Sequence, residues 1–197
     1  MRWKLIVIGV ILCAGCFYDM PSSGTKSDVQ LFRVRAVTVV NDHTRKISHG
    51  TGFLVNTVYG LSIVTAAHIL EDGYDHLEFQ DIHRNPVPIV HGLTHIRDND
   101  IAVIEVRSGA DNPYRVAVHQ PKVGSHVSSV GFPSNGDMLR TTGAVVDVRY
   151  KADIDFQVGM SGGPVLNRDG EVVGVISLIK FIGDQKFGVI SPISAVQ

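Results

Sequence analysis

The sequence predicts an all-β protein. Short apolar, β-branched runs recur along the chain, separated by turn residues at intervals of about 8 to 12 residues. No stretch carries the apolar period of a long amphipathic helix. A hydrophobic content of 44% and a mean hydropathy of +0.15 exclude an intrinsically disordered chain. These observations point to β-barrels or a sandwich, as one large domain or two small ones sharing an interface across 197 residues.

Residues 31–40 are β-branched and partly alternating, the pattern of a strand. The polar stretch 41–48 reads as a loop. Residues 50–55 and 61–65 follow as two strands joined around Tyr59-Gly60, and 69–73 as a short helical turn stopped by Gly73. Further short strands are expected at 77–80, 87–91 and 101–106. Pro86 and Pro88 have no N–H to give to a ladder, which confines their neighbourhood to an edge or a bend. Gly, Asp, Asn and Pro in 108–113 mark a boundary between two halves, 30–110 and 111–197. In the second half, strands at 125–130, 143–149, 164–166, 171–178 and 186–190 alternate with turns such as Asn135-Gly136 and Asp169-Gly170.

The N-terminus has the organisation of an export signal over residues 1–15. Met1-Arg2-Trp3-Lys4 is basic, 5–12 is an apolar core, and Cys13-Ala14-Gly15-Cys16 is a small-residue cleavage region. The uncharged run 5–18 is too short to span a bilayer comfortably. This leader resembles a bacterial lipoprotein signal, which implies lipidation at Cys16 and anchoring in the cell envelope. It departs from that pattern at Cys13, where an aliphatic residue is preferred. Both cysteines lie here, so the body of the chain cannot close an internal disulfide despite its expected export. Residues 16–29 read as a flexible tether. The net charge of −1 and the lack of a basic cluster argue against nucleic acid as a partner.

The chemistry centres on Gly159-Met160-Ser161-Gly162-Gly163-Pro164. Glycines let a backbone adopt restricted dihedrals and approach closely. In such a turn the amides of Gly159 and Ser161 can converge beside the Ser161 hydroxyl, the arrangement that acyl transfer needs. Alone, the motif favours this chemistry over its alternative, a glycine-rich hairpin turn. A serine nucleophile also requires a base, and the base a carboxylate. His68 ends the apolar run Ile63-Val64-Thr65-Ala66-Ala67, and Asp100 opens Ile101-Ala102-Val103-Ile104. The order His, Asp, Ser is that of chymotrypsin-type enzymes.

With T-A-A-H, D-I-A-V and G-x-S-G-G-P in this order, the chain resembles the trypsin-like serine proteases, and among them the disulfide-free bacterial high-temperature-requirement (Deg) branch. The resemblance implies two antiparallel six-stranded β-barrels with the active site between them. It implies His68 as general base, Asp100 as its orienting acid, Ser161 as nucleophile and the Gly159 and Ser161 amides as oxyanion hole. The implied substrate is a polypeptide, with no cofactor. A silent protease-fold binding module and an esterase with the same triad are the alternatives.

Several residues qualify this reading. Asp98 shares a strand face with Asp100, but the apolar run follows Asp100 directly. Met160 stands where zymogen-activated relatives carry an aspartate, so the site is expected to form without a newly cut amine. Asp155 lies where a trypsin-like enzyme keeps the acid that binds Lys or Arg. Ser177-Leu178-Ile179 resembles the substrate-pairing strand, and Ile179 replaces a glycine that would open the pocket. Small or medium aliphatic residues before the cut are therefore expected, with Lys180 a sequence-near partner for Asp155. No metal is expected: His91 and His95 have the spacing of ligands on a helix, which the nearby prolines argue against, and His76 and His83 lack companions at ligand spacing.

Overall fold

The computed structural model describes residues 31–41, 43–70, 73–147, 151–182 and 185–196. Six strands form the first half: β1 (Leu31–Asn41), β2 (Thr44–Thr57), β3 (Gly60–Ala66), β4 (His76–Gln80), β5 (Val90–Arg97) and β6 (Ile101–Ser108). Six more form the second: β7 (His126–Gly131), β8 (Leu139–Asp147), β9 (Lys151–Ala152), β10 (Pro164–Leu166), β11 (Val172–Ile182) and β12 (Gln185–Pro192). The second set closes into an antiparallel barrel in the order β10-β11-β12-β9-β8-β7. The protein is thus all-β, in a double-barrel arrangement.

The first half departs from a fully closed barrel. Its sheet runs β4-β1-β2-β3-β6-β5, and among the described residues no ladder joins β4 to β5. Pro86 and Pro88 lie between those strands and cannot donate. Val87 N–H instead donates to Phe79 O at 2.8 Å, and Gln80 bridges Pro86. Side chains complete the seam: Phe79 meets His91 edge-on, with ring centroids 6.1 Å apart. The strand expected at 87–91 accordingly begins later, at Val90.

Residues 44–48, expected as a loop, belong to β2 and pair with β1 through Ser48↔Ala36, Ile47↔Val37 and Lys46↔Thr38. Their polarity has a different cause. This end of the hairpin projects beyond the barrel, and β2 is largely exposed before Gly50 and buried from Gly50 to Val55. A two-sided wet ribbon needs no apolar alternation.

Two apolar clusters fill the two halves, one around Val34, Leu54, Ile63 and Ile104, the other around Ile154, Phe156, Val165 and Ile190. A third joins them, with Phe53, Val64 and Val103 from the first half packed on Phe132, Leu166 and Val175 from the second. Each such side chain contributes about 1.5–3 kcal/mol on burial. The connecting segment is stitched to both sheets: Tyr114 N–H donates to Leu54 O at 2.8 Å, and Ala117 N–H to Val172 O at 2.9 Å. The two halves therefore hold one cleft in fixed geometry.

Candidate active site

On the first half, β3 runs buried to Ala66 and ends in a single 3-10 turn, Ala67–Ile69. That turn carries His68. Its Nδ1 lies 2.9 Å from Asp100 Oδ2 and 3.1 Å from Oδ1, and its backbone N–H donates to Oδ1 at 2.8 Å. Ala67 N–H donates to the Asp100 carbonyl at 3.1 Å. An ionised carboxylate only accepts, so Nδ1 carries the proton that faces Asp100. In the neutral ring Nε2 is then the unprotonated, basic nitrogen.

Asp100 sits on the turn between β5 and β6, and both Asn99 and Asp100 have φ of 61°. Such left-handed backbone costs about 1–3 kcal/mol per residue, and Asn and Asp tolerate it best. Two hydroxyls from the other barrel hold the turn. Ser177 Oγ donates to Asp100 Oδ2, and Ser191 Oγ donates to the Asn99 carbonyl. Burial pushes the Asp100 carboxyl up, but hydrogen bonds from His68 and Ser177 outweigh it and leave the group below its ordinary value. Asp98, on the same turn, is exposed and makes no hydrogen bond among the described residues.

On the second barrel, Met160 is fully buried and anchors the serine loop with apolar packing instead of an ion pair. Met160 N–H donates to Gln157 O at 3.0 Å, and Gly159 has φ of +96°. A positive φ at the third position makes this a type II turn. The Val158 carbonyl accepts from Ser134 N–H at 2.9 Å and from Ser134 Oγ at 3.2 Å. In a trans peptide the N–H points opposite to the C=O, so this anchorage turns the Gly159 N–H away from Ser134. Among the described residues, neither the Gly159 nor the Ser161 amide donates to a backbone carbonyl.

Gly162 (φ +86°) is jammed against the His68-bearing segment. A Cβ there would lie 2.1 Å from Thr51 O, 2.3 Å from Thr65 Oγ1 and 2.8 Å from Ala66 N. Thr51 completes the junction: its N–H donates to Ser161 O at 2.8 Å, and its hydroxyl donates to Gly159 O at 3.0 Å. The same hydroxyl accepts from Phe132 N–H at 2.9 Å. Half-buried Ser161 is thereby tied to the first half, through Thr51 of β2 and beside the end of β3 that leads into His68.

The expected specificity residues lie on and near β11. Ser177 is buried, and its hydroxyl faces Asp100 instead of a substrate, which leaves its main chain as the part available for pairing. Ile179 is half-buried and pairs with Gly188. Asp155 is exposed between buried Ile154 and Phe156. Phe156, which sequence reading passed over, is fully buried against that same Gly188, where an added Cβ would lie 1.9 Å from its Cε2. The alternation Ile154-Asp155-Phe156 was the available signal for it. The Lys180 side chain and Cys16 lie outside the described residues. No group of three or more His, Cys, Asp or Glu converges as a metal site among the described residues. His95 instead bonds Glu105 at 2.7 Å and stacks on Tyr59.

Two β-barrels meeting at a His–Asp pair on one side and a glycine-wrapped serine on the other define the fold class of the two-barrel serine peptidases. The chain belongs to the trypsin-like peptidase domain family, which matches residues 50–175. It is 30% identical over 151 residues to a Chlamydia pneumoniae protein named a probable periplasmic serine endoprotease, DegP-like, covering 69% of this chain and 30% of the relative. A protein of the same name from Halomonas elongata is 29% identical over 147 residues, covering 67% and 30%. The chain thus spans about 30% of the length of these relatives. Among solved structures, the active form of the Rv3671c protease from M. tuberculosis has the same fold, with a TM-score of 0.69 at 20% identity over 85% of this chain and 78% of that one.

The lowered Asp100 carboxyl has a testable consequence. A depressed folded-state value means stability that is present above the ordinary value of 3.8 and lost as pH falls through the folded one. Asp100→Asn should therefore unfold at lower urea than the native protein at pH 7, and the gap should narrow below pH 3.8. A gap constant from pH 7 to about pH 3 would contradict the ionised, clasped carboxylate.

Proposed function

We propose that the protein is a serine endopeptidase acting through an acyl-enzyme. The observation that carries this reading is the clasp of Asp100 on His68 beside the glycine-wrapped Ser161. Ser161 Oγ attacks the scissile carbonyl while His68 Nε2 takes its proton. The Gly159 and Ser161 amides receive the oxyanion. His68 then returns the proton to the departing amine, and water hydrolyses the acyl-enzyme by the same sequence in reverse. Asp100 holds the tautomer and stabilises the imidazolium. Ser161→Ala or His68→Ala should lower kcat by roughly 10⁶, and Asp100→Asn by about 10⁴. Asp98→Asn should be near neutral. Hydrolysis of peptides and labelling by a fluorophosphonate probe measure this; a native protein that does neither is a binding module, and one that cleaves only esters is an esterase.

The residue accepted before the cut is small or medium and aliphatic. Ile179 pairs with Gly188 across β11 and β12, and the Phe156 ring packs against Gly188, which favours a narrow, apolar subsite on this side. An apolar pocket of this kind discriminates by about 1–3 kcal/mol per methylene. A peptide library read by mass spectrometry should show cleavage after such residues, undisturbed by Asp155→Asn. Cleavage mainly after Lys or Arg, lost in Asp155→Asn, would make Asp155 the pocket acid.

Residues 30–110 and 111–197 act as the two halves of one protease domain, carried on a tether (16–29) behind a signal peptide (1–15). Lipidation of Cys16 would hold it at the envelope, in keeping with relatives named periplasmic. Cells fed labelled palmitate should label the native protein and not Cys16→Ser; an unacylated mature N-terminus would refute the anchor.

A further inference from the structure

A second recess opens beside the serine loop, on the face formed by β1 and β2. It encloses about 320 Å³ and is walled by Arg33, Arg35, His49 and Arg84, with Gly50 and Ser134 at its catalytic end. Arg33 is nine-tenths buried, with its guanidinium 4.4 Å above the Phe132 ring. Its Nη2 donates to Gly136 O at 2.6 Å and its Nη1 to Pro133 O at 3.5 Å, while its buried Nε has no partner among the described residues. Arg84 projects from a rigid turn (φ 66°), in which Asp81 Oδ1 accepts from His83 N–H at 2.9 Å and from Asn85 N–H at 2.8 Å. Arg35 pairs with Glu78. Neither Arg33 nor Arg84 has a carboxylate within ion-pair distance among the described residues. Asp81 and Asp137 flank the recess, and His49 is held toward its neutral form by burial and by Arg35 and Arg33. Three guanidinium groups thus line one space, with Glu78 paired to Arg35 and the carboxylates of Asp81 and Asp137 at its margins.

The recess adjoins the reacting groups. A Cβ on Gly50 would lie 2.9 Å from Ser161 O, and Ser134 holds the carbonyl behind the Gly159 amide. None of its walls comes from β11 or β12, the strands that carry Ser177, Ile179 and Gly188. A peptide whose acyl part runs along β11 would therefore direct its leaving-group part here. At about 3.3–3.6 Å per extended residue, one or two residues reach it.

We propose that this recess binds a carboxylate of the polypeptide substrate, one or two residues after the cleaved bond. Guanidinium groups pair with carboxylates through two parallel hydrogen bonds, and a recessed pair is screened less than an exposed one. The proposal rests on the serine endopeptidase reading and adds a preference on the opposite side of the cut. The carboxylate belongs to an Asp or Glu side chain or to a free C-terminus.

The test resynthesises the best library peptide with Asp or Asn at each of the two positions after the cut, and separately as a free acid or amide ending at those positions. At low salt, kcat/KM should favour a carboxylate by about tenfold, and the preference should shrink at about 0.5 M salt. Arg84→Gln should reduce the acid-to-amide ratio to about twofold, and Arg84→Lys should retain more of it. Because the readout is a ratio within one variant, a general loss of activity cancels. An Asp/Asn effect assigns the side chain as source, and an effect seen only between free acid and amide assigns the terminus; either supports the recess. Equal rates for charged and neutral peptides, or a preference untouched by Arg84→Gln, overturn it and leave the endopeptidase standing. Failure of every peptide, together with failure to label with the fluorophosphonate, overturns both.

Discussion

Thr51 is the residue through which the two barrels agree on a geometry. It is fully buried, and its amide, carbonyl and hydroxyl are all engaged, with Ser161, Thr65, Gly159 and Phe132 as partners. Three of those partners belong to the second barrel. Buried polar groups left unpaired cost about 1–3 kcal/mol each, so the network is satisfied as a whole or strained as a whole. That ties the serine loop's position to the first barrel's β2 strand as well as to the loop's own turn. The glycines serve the same end: at Gly162 the backbone of the other barrel already occupies the place of a side chain.

The acid is delivered by the reverse dependence. Asn99 and Asp100 hold a left-handed backbone on the first barrel, and the hydroxyls of Ser177 and Ser191 on the second brace it. Strain of this kind persists where surrounding structure over-determines it. Each barrel therefore positions the other's functional turn. Separating the halves would loosen both, which explains why the apolar cluster between them matters to chemistry as well as to stability.

Around this centre the cleft is chemically unequal. Toward β11 and β12 the apolar side chains with exposed surface are half-buried Ile179 and exposed Leu178. Toward β1 and β2 it is cationic, with Arg33, Arg35 and Arg84. Apolar surfaces discriminate by shape and volume, charged ones by attraction over a longer range. A polypeptide lying across both would be selected by different physics on either side of the bond.

The all-β class, most strand positions and the His68, Asp100 and Ser161 segments were legible in the sequence, because apolar period and turn chemistry are local properties of a chain. The glycine-rich loop was legible for the same reason, since only glycine tolerates its dihedrals and close contacts. Other features were decided only by tertiary structure. The open β4–β5 seam depends on where Pro86 and Pro88 fall relative to a distant strand. The bracing role of Ser177 depends on β11 passing Asp100, 77 residues away in sequence. Phe156 meets Gly188, and Arg33 meets Phe132, across pairings that no local pattern encodes. A sequence specifies the face a residue presents; which residue stands opposite is set when non-local strands find their register.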